Sequence, residues 1–305
     1  MYLPPLHTES NVMKRLTILG TLVALGLVAT ISRPIAQGNV AEIEQVKDNL
    51  YVITGGGGNT GAFVTDGGVV LVDTKNPEWG SAILDKVSTV TDKRVTMIIN
   101  THTHGDHVGS NIDFQLPIEF VAHANTKTNM ERMPAFQSAS GKQYLPSRTY
   151  TDRLSVLSGD DQIDLYYFGQ AHTSGDTIVV FPALGVAHTG DMFAWKGVPY
   201  IDVNNGGSGV SYPNTLLTAA DTIPGVDTVI PGHSPVMTWA DFREFGEFNR
   251  DFLAAVQRGK AEGKTAAQAA ASLNLPARYS NYAMSRGTLT SAEDNATKIY
   301  AELDQ

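Results

Sequence analysis

The chain has no cysteine among its 305 residues. Disulfides, thiolate metal ligands and a lipoprotein attachment site are therefore all excluded. It also lacks a Lys/Arg-rich stretch: 22 basic residues face 31 acidic ones, for a formal net charge of −9. That balance argues against nucleic acid as the principal partner. There is no internal repeat and no low-complexity linker, so nothing demands a second folded domain, and the length suits one large layered domain. Nor is there an apolar run of spanning length. The run from Leu16 to Ala29 is shorter than the roughly 20 residues a membrane helix needs. Preceded by Met13-Lys14-Arg15 and followed by small residues up to Ala36-Gln37, it reads as a signal peptide with its cleavage point there. An uncleaved membrane anchor is the competing reading. Met1 to Val12 form an upstream extension, and Met13 is an alternative start. The expectation is a leader over residues 1–37, one domain over 38–305 that turns helical from about 239, and export to a bacterial periplasm.

Against these absences stands one dense feature, Asn100-Thr101-His102-Thr103-His104-Gly105-Asp106-His107-Val108-Gly109. It follows the apolar, strand-like Val95–Ile99 directly. Imidazole is the commonest borderline-soft metal ligand. Side chains at i and i+2 of an extended segment point the same way, so His102 and His104 can share an ion. Asp106 and His107 fall where the chain turns into a helix, displaced enough to serve a second ion. Three further candidates follow, each on a glycine-containing turn after an apolar run: His172 in Gly169–Asp176, Asp191 at the end of Gly185–Asp191, and His233 in Pro231-Gly232-His233.

His-x-His-x-Asp-His, then Gly-x-x-His-Thr-x-Gly, then Thr-Gly-Asp, then Pro-Gly-His resembles the metallo-β-lactamase fold superfamily of metallohydrolases, from about Gly38 to about Pro235. The resemblance implies an α/β fold, an αββα sandwich of two mixed β-sheets flanked by helices, with a two-metal site at one edge. It implies that His102, His104 and His172 hold the first ion, that Asp106, His107 and His233 hold the second, and that Asp191 bridges them. His107 takes the place of a thiolate, as in the all-histidine members. The expected cofactors are two divalent ions, zinc first, with iron or manganese also fitting. Three neutral imidazoles leave zinc coordinatively open, as a catalytic site requires. Two ions can share a water whose pKa falls near neutrality and which then attacks a carbonyl or phosphorus centre. Asp106 is the expected group that orients it and handles its proton. Asp73 matches an early acidic position of the family, as a partner fixing a ligand histidine. A plain turn at the strand end is the other reading.

The substrate expected is a small molecule: an ester, lactone or amide-type carbonyl compound. In typical β-lactamase branches the resemblance puts another residue at the Asp191 position, whereas hydrolases of thioesters, lactones, sulfate esters and phosphodiesters keep the aspartate. Alternatives are a class B3-like β-lactamase, a glyoxalase II-like thioesterase, a mononuclear-iron sulfur dioxygenase, or a non-catalytic metal-binding protein. No Arg/Lys cluster stands in the C-terminal region to hold glutathione, which counts against the thioesterase. Gly55–Gly61 lacks the Lys-Ser/Thr of a phosphate loop and reads as a hairpin turn, in this family a mobile lid. Met133–Tyr150, with Phe136, Tyr144 and Tyr150, reads equally as a pocket wall or as a loop with packed rings. Asp202–Gly209 is a surface turn whose Asn204 and Asn205 could reach a substrate. His123 and His188 read as structural. Helices are expected over 239–258, 264–273 and 290–303.

Overall fold

Alternation of apolar residues over four to six positions builds most of the strands. In Gly68–Val72, Val69 and Leu71 face one way and Val70 and Val72 the other, and all four are buried. A strand buried on both faces must lie between two layers. A computed structural model describes residues 1–2 and 40–305 and places such strands in two sheets. The leader, its cleavage point and the alternative start Met13 lie outside the described residues. Asn39–Gln305 gathers into one unit.

The first sheet has seven strands in chain order: β1 (Glu42–Lys47), β2 (Leu50–Thr54), β3 (Thr60–Thr65), β4 (Gly68–Val72), β5 (Val95–Ile99), β6 (Glu119–His123) and β7 (Arg148–Tyr150). Pairing is antiparallel from β1 to β4 and parallel from β4 to β7. The second sheet comprises β8 (Arg153–Val156), β9 (Ile163–Tyr166), β10 (Ile178–Phe181), β11 (Val186–Gly190), β12 (Thr228–Pro231) and β13 (Met237–Thr238), with one parallel pair, β11–β12. Both sheets are therefore mixed.

Three apolar layers hold the sandwich together. Val52, Phe63, Val70 and Ile99 of the first sheet meet Leu165, Val179, Phe181 and Ile230 of the second. Outside the first sheet, Ala82, Ile83 and Val87 of α1 (Gly80–Val87) cover Val69, Leu71 and Ile98. Outside the second, α4 (Tyr212–Thr222) and α5 (Trp239–Ala261) cover Ile178, Val180 and Val229. Phe242, Phe245, Phe248, Phe252 and Val256 recur every three or four residues and so form one buried stripe on α5. Each such ring or branched chain removed from water contributes roughly 1.5–3 kcal/mol. Thr238 and Asp241 close a capping box that fixes where α5 begins. The helical C-terminal portion expected from about 239 is thus α5, α6 (Ala266–Ala271) and α7 (Ala292–Leu303). The architecture is the αββα sandwich.

Two short helices complete the site's surroundings: α2 (Gly105–Val108) follows β5, and α3 (Ala124–Met130) follows β6. The chain leaves β5, β9, β11 and β12 toward one edge of the sandwich, and each exit carries a candidate ligand.

Candidate metal centre

His102, His104, His172 and Asp191 each present one ligand atom, and these atoms lie within 4.8 Å of one another. Asp106, His107 and His233 form a second such group. Asp191 faces both, with Oδ2 3.8 Å from His172 Nε2 and Oδ1 3.2 Å from His107 Nε2 and 3.3 Å from His233 Nε2. His233 Nε2 stands 3.1 Å from Asp106 Oδ2 and 3.4 Å from His107 Nε2.

The partners behind the imidazoles decide which nitrogen faces inward as a lone pair. His104 Nε2 donates to Asp202 Oδ2 at 2.7 Å, and His172 Nδ1 donates to the Tyr200 carbonyl at 2.6 Å. His107 Nδ1 donates to Asp73 Oδ2 at 2.7 Å. The Thr101 hydroxyl gives its proton to Asp73 Oδ2, so its oxygen accepts from His102 Nδ1 at 2.9 Å. With the outer nitrogens carrying the protons, the neutral rings aim lone pairs at one another. His104 Nδ1 and His172 Nε2 then face across 2.9 Å. Two lone pairs at that distance repel unless a proton or a metal cation lies between them. His102 Nε2 is buried without a hydrogen-bond partner, an arrangement that costs about 1–3 kcal/mol. Three imidazole nitrogens with a carboxylate oxygen suit a divalent ion such as zinc. The residues present fit the metal.

Burial, with the neighbouring rings, holds His102 well below its ordinary pKa, and burial with His104 pushes His172 down to about 4. Both rings are neutral, as ligands must be. His107 and His233 go the other way. Burial opposes their charge, but Asp191 and Asp73 raise His107 well above its usual value, and hydrogen bonds to Asp106 and Asp191 lift His233 to about 9. Burial likewise opposes the Asp191 carboxylate, and His107 and His233 outweigh it, holding the group well below the usual range. Protons on two histidines therefore balance the acids here, a role that cations would take over.

Close backbone approach makes two glycines necessary. A Cβ on Gly232 would stand 1.9 Å from Asp191 Oδ1, and one on Gly58 would stand 2.2 Å from the His107 ring. The second contact corrects the lid expectation for Gly55–Gly61. Gly58 N donates to the Asp106 carbonyl at 3.0 Å, and Asn59 N to the Gly232 carbonyl at 2.7 Å. Asn59 Nδ2 donates to the Pro231 and Ser234 carbonyls, both at 2.8 Å, and buried Lys75 donates to the Gly58 carbonyl at 2.8 Å. These bonds tie the hairpin to the ligand loops, so it is anchored where a free lid was expected.

The two groups open on a cavity of about 330 Å³, with His104, Asp106, Asp191 and His233 at its floor and Trp195, Tyr200, Arg286 and Leu289 as walls. Asn204 and Asn205 do not line it, contrary to expectation. The Asn204 amide donates to Asp202 Oδ1 at 3.0 Å and Asn205 Nδ2 to Asp202 Oδ2 at 2.6 Å, so the turn aims Asp202 at His104. Met133–Tyr150 is a loop with packed rings: Phe136 is buried with Val108 and Met130, and the Tyr150 hydroxyl donates to Thr177 Oγ1. His123 caps α3 and stacks on Tyr167; His188 is buried against the Asn59 carbonyl. Asp73 accepts from Thr101 N as well as from His107, at a φ of 65° that costs a non-glycine residue about 1–3 kcal/mol. Sequence reading missed Asp202 as a ligand's partner and Trp195, Tyr200, Arg286 and Leu289 as walls. The one local signal was the Asx-turn composition after Asp202.

The family model of the metallo-β-lactamase superfamily matches residues 53–239. The chain belongs to the metallo-β-lactamase superfamily. It is similar to the type 2 metallo-β-lactamase of Elizabethkingia meningoseptica, with 29% identity over 219 residues, covering 66% of this chain and 80% of that one. In structure it is similar to the stereoselective inverting sec-alkylsulfatase Pisa1 from Pseudomonas sp. (TM-score 0.71, 16% identity, 87% of this chain). The chain spans only 50% of that sulfatase's length. It is also similar to the metallo-β-lactamase from Pontibacter korlensis (TM-score 0.58, 18% identity, 69% of this chain and 99% of that one). Membership of the superfamily makes the chain a metal-dependent hydrolase. Among the described residues no helix is long and apolar enough to cross a membrane.

Proposed function

We propose that this superfamily member is an exported, periplasmic two-zinc hydrolase that opens a small ester or lactone. The observation that carries the reading is Asp191, which turns one oxygen to each ligand group at the floor of a single cavity. Bound there, divalent ions would polarise the substrate carbonyl and bring the pKa of a water near neutrality. Asp106 is 31% exposed where Asp191 is 8% exposed, so Asp106 is the carboxylate placed to orient the attacking water and take its proton. Burial opposes its charge, but the His233 hydrogen bond and the His107 charge hold it below the usual carboxylate range, so it is a base at neutral pH. Asp73 and Asp202 keep His107 and His104 in the ligating tautomer. β-Lactam opening is the second reading, supported by the 29% identity to a type 2 metallo-β-lactamase.

Elemental analysis paired with a hydrolysis panel tests this: a lactone, a thioester, a p-nitrophenyl ester, a phosphodiester and nitrocefin. Two zincs per chain are expected, with lactone or ester turnover that a chelator removes and zinc restores. A single iron with no hydrolysis would overturn the proposal in favour of the oxygenase alternative.

A further inference from the structure

The wall opposite the ligand groups carries a cation without an acid. Arg286 lines the cavity beside Trp195 and Leu289, and its guanidinium lies 4.2 Å from the centre of the Trp195 ring. Arg153, Arg243 and Arg278 each meet a carboxylate. Among the described residues none reaches Arg286, although the protein carries a net charge of −9. Its position is built, not incidental. Arg286 N donates to the Thr290 carbonyl at 2.9 Å, and Thr290 Oγ1 donates to the Pro199 carbonyl at 2.9 Å. A bridge between Gly197 and Ala283 ties the same two segments together. Trp195 Nε1 donates to the Val198 carbonyl at 3.1 Å, which fixes the ring that the guanidinium rests on. A stacked guanidinium keeps its in-plane N–H fork free for a two-oxygen anion.

We infer that Arg286 is a specificity residue that receives an oxyanion of the substrate, while Trp195 and Leu289 cover its apolar part. This rests on the hydrolase reading above and names its substrate class: small, partly apolar esters or lactones bearing a carboxylate. A sulfate ester presents the same two-oxygen chemistry through its reacting group.

The test uses the full metal-loaded chain and Arg286→Ala and Arg286→Lys variants. Mono-p-nitrophenyl glutarate is compared with neutral p-nitrophenyl butyrate and with p-nitrophenyl sulfate. In Arg286→Ala, kcat/KM for the glutarate ester should fall roughly 10- to 100-fold more than for the butyrate, chiefly through KM, because a charge-assisted fork is lost. Arg286→Lys should recover part of it. A selective loss on the sulfate instead would keep the anion site and assign it to the reacting group. Equal losses on all three overturn the inference. Calorimetry with phenylacetate against neutral phenylacetamide reads the site without turnover, and Arg286→Ala should weaken phenylacetate at least about 10-fold more. If no ester is hydrolysed but that difference persists, the hydrolase reading fails and the anion site stands. Equal effects on the two ligands overturn the anion site.

Discussion

Replacing Asp202 by asparagine tests the tautomer argument directly. The residue is buried and keeps nearly the same shape, but loses its charge and one of its two acceptor oxygens, of which Oδ2 accepts from His104 Nε2 at 2.7 Å and Oδ1 from the Asn204 backbone at 3.0 Å. Removing such a partner of a ligand histidine typically costs 10- to 100-fold in metal affinity. With free zinc held at about 100 times the wild-type Kd, the metal stabilises the fold by about 2.7 kcal/mol. The same expression gives about 1.4 kcal/mol after a tenfold loss and about 0.4 kcal/mol after a hundredfold loss. The loss is therefore about 1.3–2.3 kcal/mol. At about 2 °C per kcal/mol for a unit of this size, it shortens the zinc-dependent rise in Tm by roughly 3–5 °C. Tm is read with zinc and with chelator for both proteins, because the difference cancels any effect on the metal-free fold. Competition with a chromophoric chelator gives the affinity independently. An unchanged rise, with affinity within twofold of wild type, refutes the claim that Asp202 sets the His104 tautomer.

Further outcomes follow from other contacts. Gly232→Ala drives a methyl into Asp191 Oδ1 and should lower zinc content below two per chain and turnover by at least about 100-fold; full zinc content would contradict the bridging role. Asp106→Ala should abolish hydrolysis while far-UV dichroism stays native, and surviving turnover would remove the assigned role. His123→Ala loses the α3 cap, costing about 0.5–2 kcal/mol, and should keep kcat/KM within about twofold. Burial pushes buried Lys75 down to about 7 against the pull of Asp73. Its folded pKa is below the unfolded one, so the unfolded chain binds the extra proton, and stability rises with pH from about 7 toward 10.5. Lys75→Met should flatten denaturant-derived stability over that window by up to about 1.4 kcal/mol per pH unit. An unaltered slope would mean that another group titrates there.

The parts legible in the sequence were the local ones. Val95–Ile99 was read with its observed bounds because period and composition act within a few residues. The ligand candidates were legible because each ends an apolar run on a glycine turn. What escaped depends on distance along the chain. Asp202 meets His104 across 98 positions, and no local pattern links them. Asn204 and Asn205 were noticed as donors to a substrate, yet the Asn204 backbone N–H and the Asn205 side-chain amide serve Asp202. Arg286 stands between α6 and α7, in a stretch where sequence reading expected nothing beyond the flanking helices. Gly55–Gly61 was read correctly as a hairpin, but its composition could not tell a free flap from a strap hydrogen-bonded through Gly58 and Asn59 to two ligand loops.

The two sheets meet the site from opposite sides. His102, His104, Asp106 and His107 follow β5 of the first, while His172, Asp191 and His233 come from the second. An ion held by both sets would stitch the halves of the sandwich together at their open edge. In a chain with no cysteine, that stitch takes the place of a covalent clasp, and unlike a disulfide it comes undone with acid or a chelator instead of a reductant. The exposed edge of this fold would then be firm only where a divalent ion is plentiful, so that metal supply would govern how long the molecule lasts as well as whether it works.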